Sequence, residues 1–117
     1  MRFIPENLKE KISSDPSMKL CIHFNKDCRD EFGNRPGRAE WEHAFIYAGK
    51  QINERWAIIG VCWYHHRGPG LNKAYNQYRC LIRMTDEEMS EAIKKYPNVD
   101  WISLRNRLKI QFEHHGN

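Results

Sequence analysis

Residues 38–71 read RAEWEHAFIYAGKQINERWAIIGVCWYHHRGPGL. A Glu42-His43 pair is followed, nineteen residues after the histidine, by Cys62, two spacers and a His65-His66 pair. Residue types that bind metals or move protons thus recur at motif-like spacing. Residues 56–61 (WAIIGV) are apolar and partly β-branched, which predicts a short buried strand running straight into CWYHH. Residues 38–43 predict a second extended run that delivers His43 at its end. Between the two, Phe45, Ile46, Ile52 and the central Gly49 fit a loop or a broken helix equally, and 44–53 is read as loop. RGPG at 67–70 predicts a tight turn.

Working outward, Leu71, Tyr75 and Tyr78 at i, i+4, i+7 predict a helix over 71–81. Thr85 with Glu88 three residues on is a capping box, the acids 86–88 suit a helix N-terminus, Lys94 and Lys95 its C-terminus, and Pro97 stops it. Asp100 is a cap for a last helix in which Trp101, Leu104, Leu108 and Phe112 form a stripe against the core. Towards the N-terminus, Pro5 opens a short helix over 6–12 with Leu8 and Ile12 facing inward, ended by Ser13, Ser14, Asp15 and Pro16. The NKD of CIHFNKDC and the NRPG at 34–37 are turn sequences. The fold class expected is α+β, a single domain over 1–117 with a core motif at 19–83 and C-terminal helices at 85–113.

At 117 residues the chain is one folding unit, small enough for a metal clip to matter. No run of eighteen apolar residues exists, and the start lacks the apolar segment of a signal peptide, which points to a soluble cytoplasmic protein with no membrane partner. Four cysteines could make two disulfides in a secreted domain, but reduced thiols interleaved with histidines favour a metal. Cys21, Cys28, Cys62 and His65 give three thiolates and one imidazole, a set suited to tetrahedral zinc; the C-x2-H of Cys62 and His65 is its compact half. Cys80, beside Leu81 and Ile82, reads as core, His23 as a loop residue or a donor behind the zinc ligands, and His114 and His115 as fraying ends. Trp41, Trp56, Trp63 and Tyr64 read as core before base-stacking residues.

Glu42 and His66 can hold a hard divalent ion such as Mg2+, and His43, an imidazole titrating near ~6.5, can take a proton from an attacking water. Net charge is only +4, but five basic residues (Arg55, Arg67, Lys73, Arg79, Arg83) fall between 55 and 85 with no acid among them. That run flanks the His-His pair, as expected where phosphates meet a protein. No sequence feature assigns an oligomeric state.

EWEHAF, about twenty residues, then IIGVCWYHHRG resembles the HNH endonuclease family, and within it the small HNH-type proteins of bacteriophage genomes. The similarity covers roughly 19–83. It implies a zinc-braced ββα-metal finger with flanking N- and C-terminal helices, and hydrolysis of DNA phosphodiesters. Glu42 matches the family's first ligand to the catalytic divalent ion, His43 its general base and His66 its closing metal-binding histidine. Cys62 and His65 match one zinc knuckle and Cys21 and Cys28 the other, with a longer loop; Arg67, Lys73 and Arg79 would meet the nucleic acid. One departure concerns the family's middle asparagine, nine residues before the closing histidine, where this chain has Ala57. Asn53 or Asn72 would have to supply the amide that orients His43. Rival readings are a zinc-containing nucleic-acid-binding module without catalysis and a zinc-stabilised protein-interaction domain.

Overall fold

The computed structural model describes residues 4–15, 18–23 and 26–113. In order these form α1 (Glu6–Ser14), β1 (Glu40–His43), β2 (Ile46–Tyr47), β3 (Lys50–Gln51), a 3-10 turn (Arg55–Ala57), β4 (Ile58–Val61), α2 (Trp63–His66), α3 (Lys73–Ile82), α4 (Asp86–Lys95) and α5 (Trp101–Glu113). The α+β class holds. No described helix is long and apolar enough to cross a membrane. Pro16, Asn25, His114 and His115 lie outside the described residues.

β1 and β4 pair antiparallel, with Glu42 opposite Ile59 and His43 opposite Ile58. All four β4 residues are buried, as the unbroken apolar run requires. Gly60 is needed for a close approach: a Cβ there would lie 2.9 Å from the Met18 carbonyl oxygen and 3.2 Å from Ala39 Cβ. The chain at 18–22 therefore runs against β4, where Ile22 N–H donates to the Gly60 carbonyl at 2.8 Å.

The expected loop at 44–53 is instead a hairpin. β2 and β3 pair through Ile46 with Gln51 and Tyr47 with Lys50, and the two turn residues Ala48 and Gly49 have φ of 53° and 80°. Both signs are those of a type I′ turn. Alanine rarely adopts positive φ, so Ala-Gly lacks the Asn-Gly signature, and strands of two residues show no alternation to read. The predicted strand at 56–61 is likewise divided, since Trp56 and Ala57 belong to the 3-10 turn. α1 continues past Ile12 through Ser14, and α3 begins at Lys73, leaving Leu71 outside it and half exposed.

The main core joins the sheet, the hairpin and the C-terminal helices. Trp101 packs edge-on against Phe45 and Trp56 at ring-centroid distances of 5.4 and 5.1 Å, and Phe112 closes on Tyr75 and Tyr78 at 4.9 and 5.3 Å. The predicted stripe on α5 thus faces the core, with Trp101 and Leu108 buried and Leu104 and Phe112 half-buried. Cys80 is fully buried, and desolvation pushes its thiol up to about 12, which makes it a core residue. A smaller cluster of Ile12, Met18 and Ile58 docks α1. The capping box is present: Glu88 N–H donates to Thr85 Oγ1 at 3.1 Å and Thr85 N–H to Glu88 Oε1 at 3.0 Å. Asp100 caps α5 by accepting from Ser103 N–H at 3.1 Å.

Candidate metal centre and adjoining cleft

Three segments converge on one point. Cys62 follows β4, and the single helical turn of α2 carries His65 back over it, so that His65 Nδ1 lies 3.2 Å from Cys62 Sγ. The Ile22–Gly60 hydrogen bond brings Cys21 alongside, with Sγ 3.5 Å from the same nitrogen. The chain after Cys28 is fixed to α2 by Tyr64 N–H donating to the Arg29 carbonyl at 3.1 Å and by the Arg29 guanidinium 3.8 Å above the Tyr64 ring. Cys28 Sγ then sits 3.7 Å from His65 Nδ1.

The ligand atoms of Cys21, Cys28, Cys62 and His65 all lie within 4.8 Å of one another. A single ring nitrogen has one lone pair or one proton and cannot satisfy three thiols. A metal ion among them can. Bonds of ~2.3 Å to sulfur and ~2.05 Å to nitrogen at a tetrahedral angle separate the two atom types by about 3.5 Å, and the three observed distances of 3.2, 3.5 and 3.7 Å bracket that value. Burial lowers the His65 pKa, favouring the neutral imidazole a ligand must be. The four residues are positioned to bind one metal ion, and three thiolates with one imidazole are a donor set that suits zinc. Among the described residues no other group of three or more Cys, His, Asp or Glu is placed in this way.

Beside this centre is an open cleft of ≈ 720 Å³, lined by Glu40, Glu42, His43, His66, Arg67 and Lys73 with Ile46, Gln51 and Leu71. Glu42 and His43 are neighbours on β1, yet both reach the cleft because His43 is the strand's last residue. Glu42 is 3% exposed and His43 4%. The hairpin returns the chain so that Asn53 Oδ1 accepts from His43 Nε2 at 2.7 Å. The other ring nitrogen of His43, Nδ1, is buried. Ala57, nine residues before His66, is fully buried, and its carbonyl accepts from Ala44 N–H at 2.9 Å. Asn72 has a different task from the orienting one considered for it: it caps α3 by accepting from Tyr75 N–H at 3.1 Å.

His66 Nδ1 lies 2.6 Å from Glu40 Oε1, and the Arg67 guanidinium grips the same carboxylate at 3.1 and 2.7 Å. The Arg67 hydrogen bond, opposed by burial and aided by His66, holds the Glu40 carboxyl below its usual pKa. A carboxylate behind the imidazole fixes its tautomer and orientation, leaving Nε2 to the cleft. The Glu42 carboxylate accepts from Lys73 Nζ at 3.2 Å, and the same ammonium reaches the His43 carbonyl at 2.9 Å. From the other side Asn76 Nδ2 donates to both Glu42 oxygens at 3.1 and 3.0 Å.

Glu40 and Asn76 are functional candidates that the sequence reading missed. The signal for Glu40 was the alternation of EWE, which puts Glu40 and Glu42 on one face of a strand. Asn76 lies i+3 from Lys73 on one helix face.

Three of the five basic residues in the acid-free run are paired in space with acids from elsewhere, and a fourth is taken up by backbone carbonyls. Arg55 ion-pairs with Glu88 at 2.6 Å and Asp15 at 3.1 Å, tying α4 to the end of α1. Arg67 pairs with Glu40 and Lys73 with Glu42. Arg83 is largely buried and donates to the carbonyls of Arg55 and Ile58, which makes it a clamp on the 3-10 turn. Arg79 is half-buried and stands close enough to His23 to disfavour charge there. Chain-neighbour charge is thus a poor guide to surface potential here. Trp56 is buried as expected, while Trp41, Trp63 and Tyr64 are only partly so. Comparison with protein-family models, curated proteins and solved structures finds no match to this chain.

Proposed function

We propose that the chain is an HNH-type endonuclease that hydrolyses DNA phosphodiesters with a divalent ion, on a scaffold braced by zinc at Cys21, Cys28, Cys62 and His65. The observation that carries the reading is the cleft itself: Glu42, His43 and His66 line one opening beside the metal centre, and an asparagine is bonded to His43. In this reading β1, β4 and the helices after Cys62 are the ββα unit. A divalent ion held by Glu42 and His66, such as Mg2+ or Mn2+, would polarise a phosphate oxygen and make a bound water more acidic. Glu40 orients the His66 ring by holding Nδ1. Asn53 holds the His43 ring at Nε2, and His43 would be the base that takes the proton from the attacking water. Lys73 and Arg67, both on the cleft, supply positive charge for a phosphate.

Lys73 also supports a second reading. Its ammonium, 3.2 Å from Glu42, places a protein cation at the carboxylate that a metal would use. A module with that arrangement binds nucleic acid without cutting it. Supercoiled plasmid incubated with zinc-loaded protein and Mg2+, Mn2+ or Ni2+ separates the two. The nuclease reading expects nicked or linear product that EDTA prevents; retarded but uncut plasmid with every ion favours the binding module.

A further inference from the structure

A hydrogen-bonded path runs from His23, in ring contact with His65, through Asn76 to Glu42 in the cleft. His23 lies in the loop between Cys21 and Cys28, with its ring centroid 4.5 Å from that of His65 and stacked on Tyr75 at 4.9 Å and 22°. Its Nε2–H donates to Asn76 Oδ1 at 2.8 Å. Asn76 is fully buried, and its amide nitrogen donates to both oxygens of Glu42. The carboxylate accepts only, so it draws the NH2 end of the amide, and His23 occupies the carbonyl end and holds the amide in place. A buried polar chain in which each member is satisfied is stiff, and displacing one end disturbs the other.

We propose that His23 and Asn76 are positioning residues through which the zinc loop sets the geometry of Glu42, so that the cleft's affinity for a divalent ion depends on a side chain that touches neither the cleft nor the ion. The proposal rests on the reading of Glu42 as a ligand. Neither residue is catalytic.

The test is Mn2+ titration of the full, zinc-loaded chain, followed by EPR of the free ion. His23→Phe keeps a ring against Tyr75 and His65 and removes the donor, while His23→Gln returns an N–H near the Nε2 position. Zinc content and melting temperature are measured on each preparation. His23→Phe is expected to weaken Mn2+ binding about 10-fold, the lower end of what partners behind metal ligands contribute, with His23→Gln restoring most of the loss. Unchanged Mn2+ affinity in zinc-loaded His23→Phe overturns the proposal. Should the phenylalanine not be accommodated, His23→Met is judged by the same criteria.

If the parent binds no Mn2+, it is the metal-dependent reading that fails, and the path is then read from the Asn76 side-chain amide protons by NMR. Slow exchange in the parent that speeds up about 10-fold or more in His23→Phe, the size of effect expected when a buried hydrogen bond is lost, upholds the path. Equal exchange in both overturns it.

Discussion

Cys62→Ala is expected to abolish zinc binding and leave the domain without a cooperative melting transition. The reasoning is one of magnitudes. A structural zinc with thiolate ligands contributes about 10–16 kcal/mol at neutral pH in small zinc domains, as much as or more than the net stability of about 5–15 kcal/mol that a domain of this kind retains. The four ligands come from three segments, and an ion among them would join the segments carrying Cys21 and Cys28 to β4 and α2, beside a few backbone hydrogen bonds, the packing of Met18 on Ile58 and the Arg29–Tyr64 contact. Cys80→Ala is the matched control, since that cysteine is equally buried but packed among apolar residues. It should cost only about 1 kcal/mol, an ordinary small truncation, and leave zinc content unchanged. Melting by circular dichroism with zinc content measured alongside checks both halves.

His43→Gln is expected to lower plasmid cleavage by roughly 100-fold or more, the usual worth of a positioned base. Glutamine is chosen because His43 is buried, so alanine would add a cavity to the loss of the base. Its amide can still donate to Asn53 but takes no proton at neutral pH. Melting temperature and zinc content should stay close to the parent, and raising the Mn2+ concentration should not restore the rate. His66→Gln should behave differently. If His66 is a ligand, the variant loses rate mainly through weaker metal binding, and excess Mn2+ recovers part of it. The structure makes this comparison pointed, because His66 is the imidazole backed by a carboxylate, whereas His43 is bonded to an amide. Metal rescue of His43→Gln but not of His66→Gln would exchange the two roles.

The metal centre was legible in the chain because its chemistry is carried by rare residue types. Cys21, Cys28, Cys62 and His65 have few alternative uses in a chain expected to keep its thiols reduced, and the C-x2-H turn brings two of them together by local geometry alone. The helices over 86–95 and 101–113 were equally readable, since caps and a 3.6-residue stripe are local signals. The hairpin was not, because its strands are only one period of alternation long and its turn uses alanine at positive φ. The partners of the cleft were hidden for another reason. Glu40 meets His66 across 26 residues and Asn76 meets Glu42 across 34, so both contacts exist only once the β1–β4 register and the packing of α3 are fixed. The same long-range pairing explains why Arg55, Arg67 and Lys73, which have no acid near them in the chain, meet carboxylates in the fold.

X-ray absorption at the zinc edge of freshly purified protein tests the central claim, that one zinc held by Cys21, Cys28, Cys62 and His65 organises the fold around the cleft. The prediction is about one zinc per chain, with a first shell of three sulfurs at ~2.3 Å and one nitrogen at ~2.0–2.1 Å, and loss of the zinc signal in Cys62→Ala. A well-folded preparation without zinc, a shell of nitrogen and oxygen alone, or a Cys21–Cys28 disulfide found by mass spectrometry would contradict it.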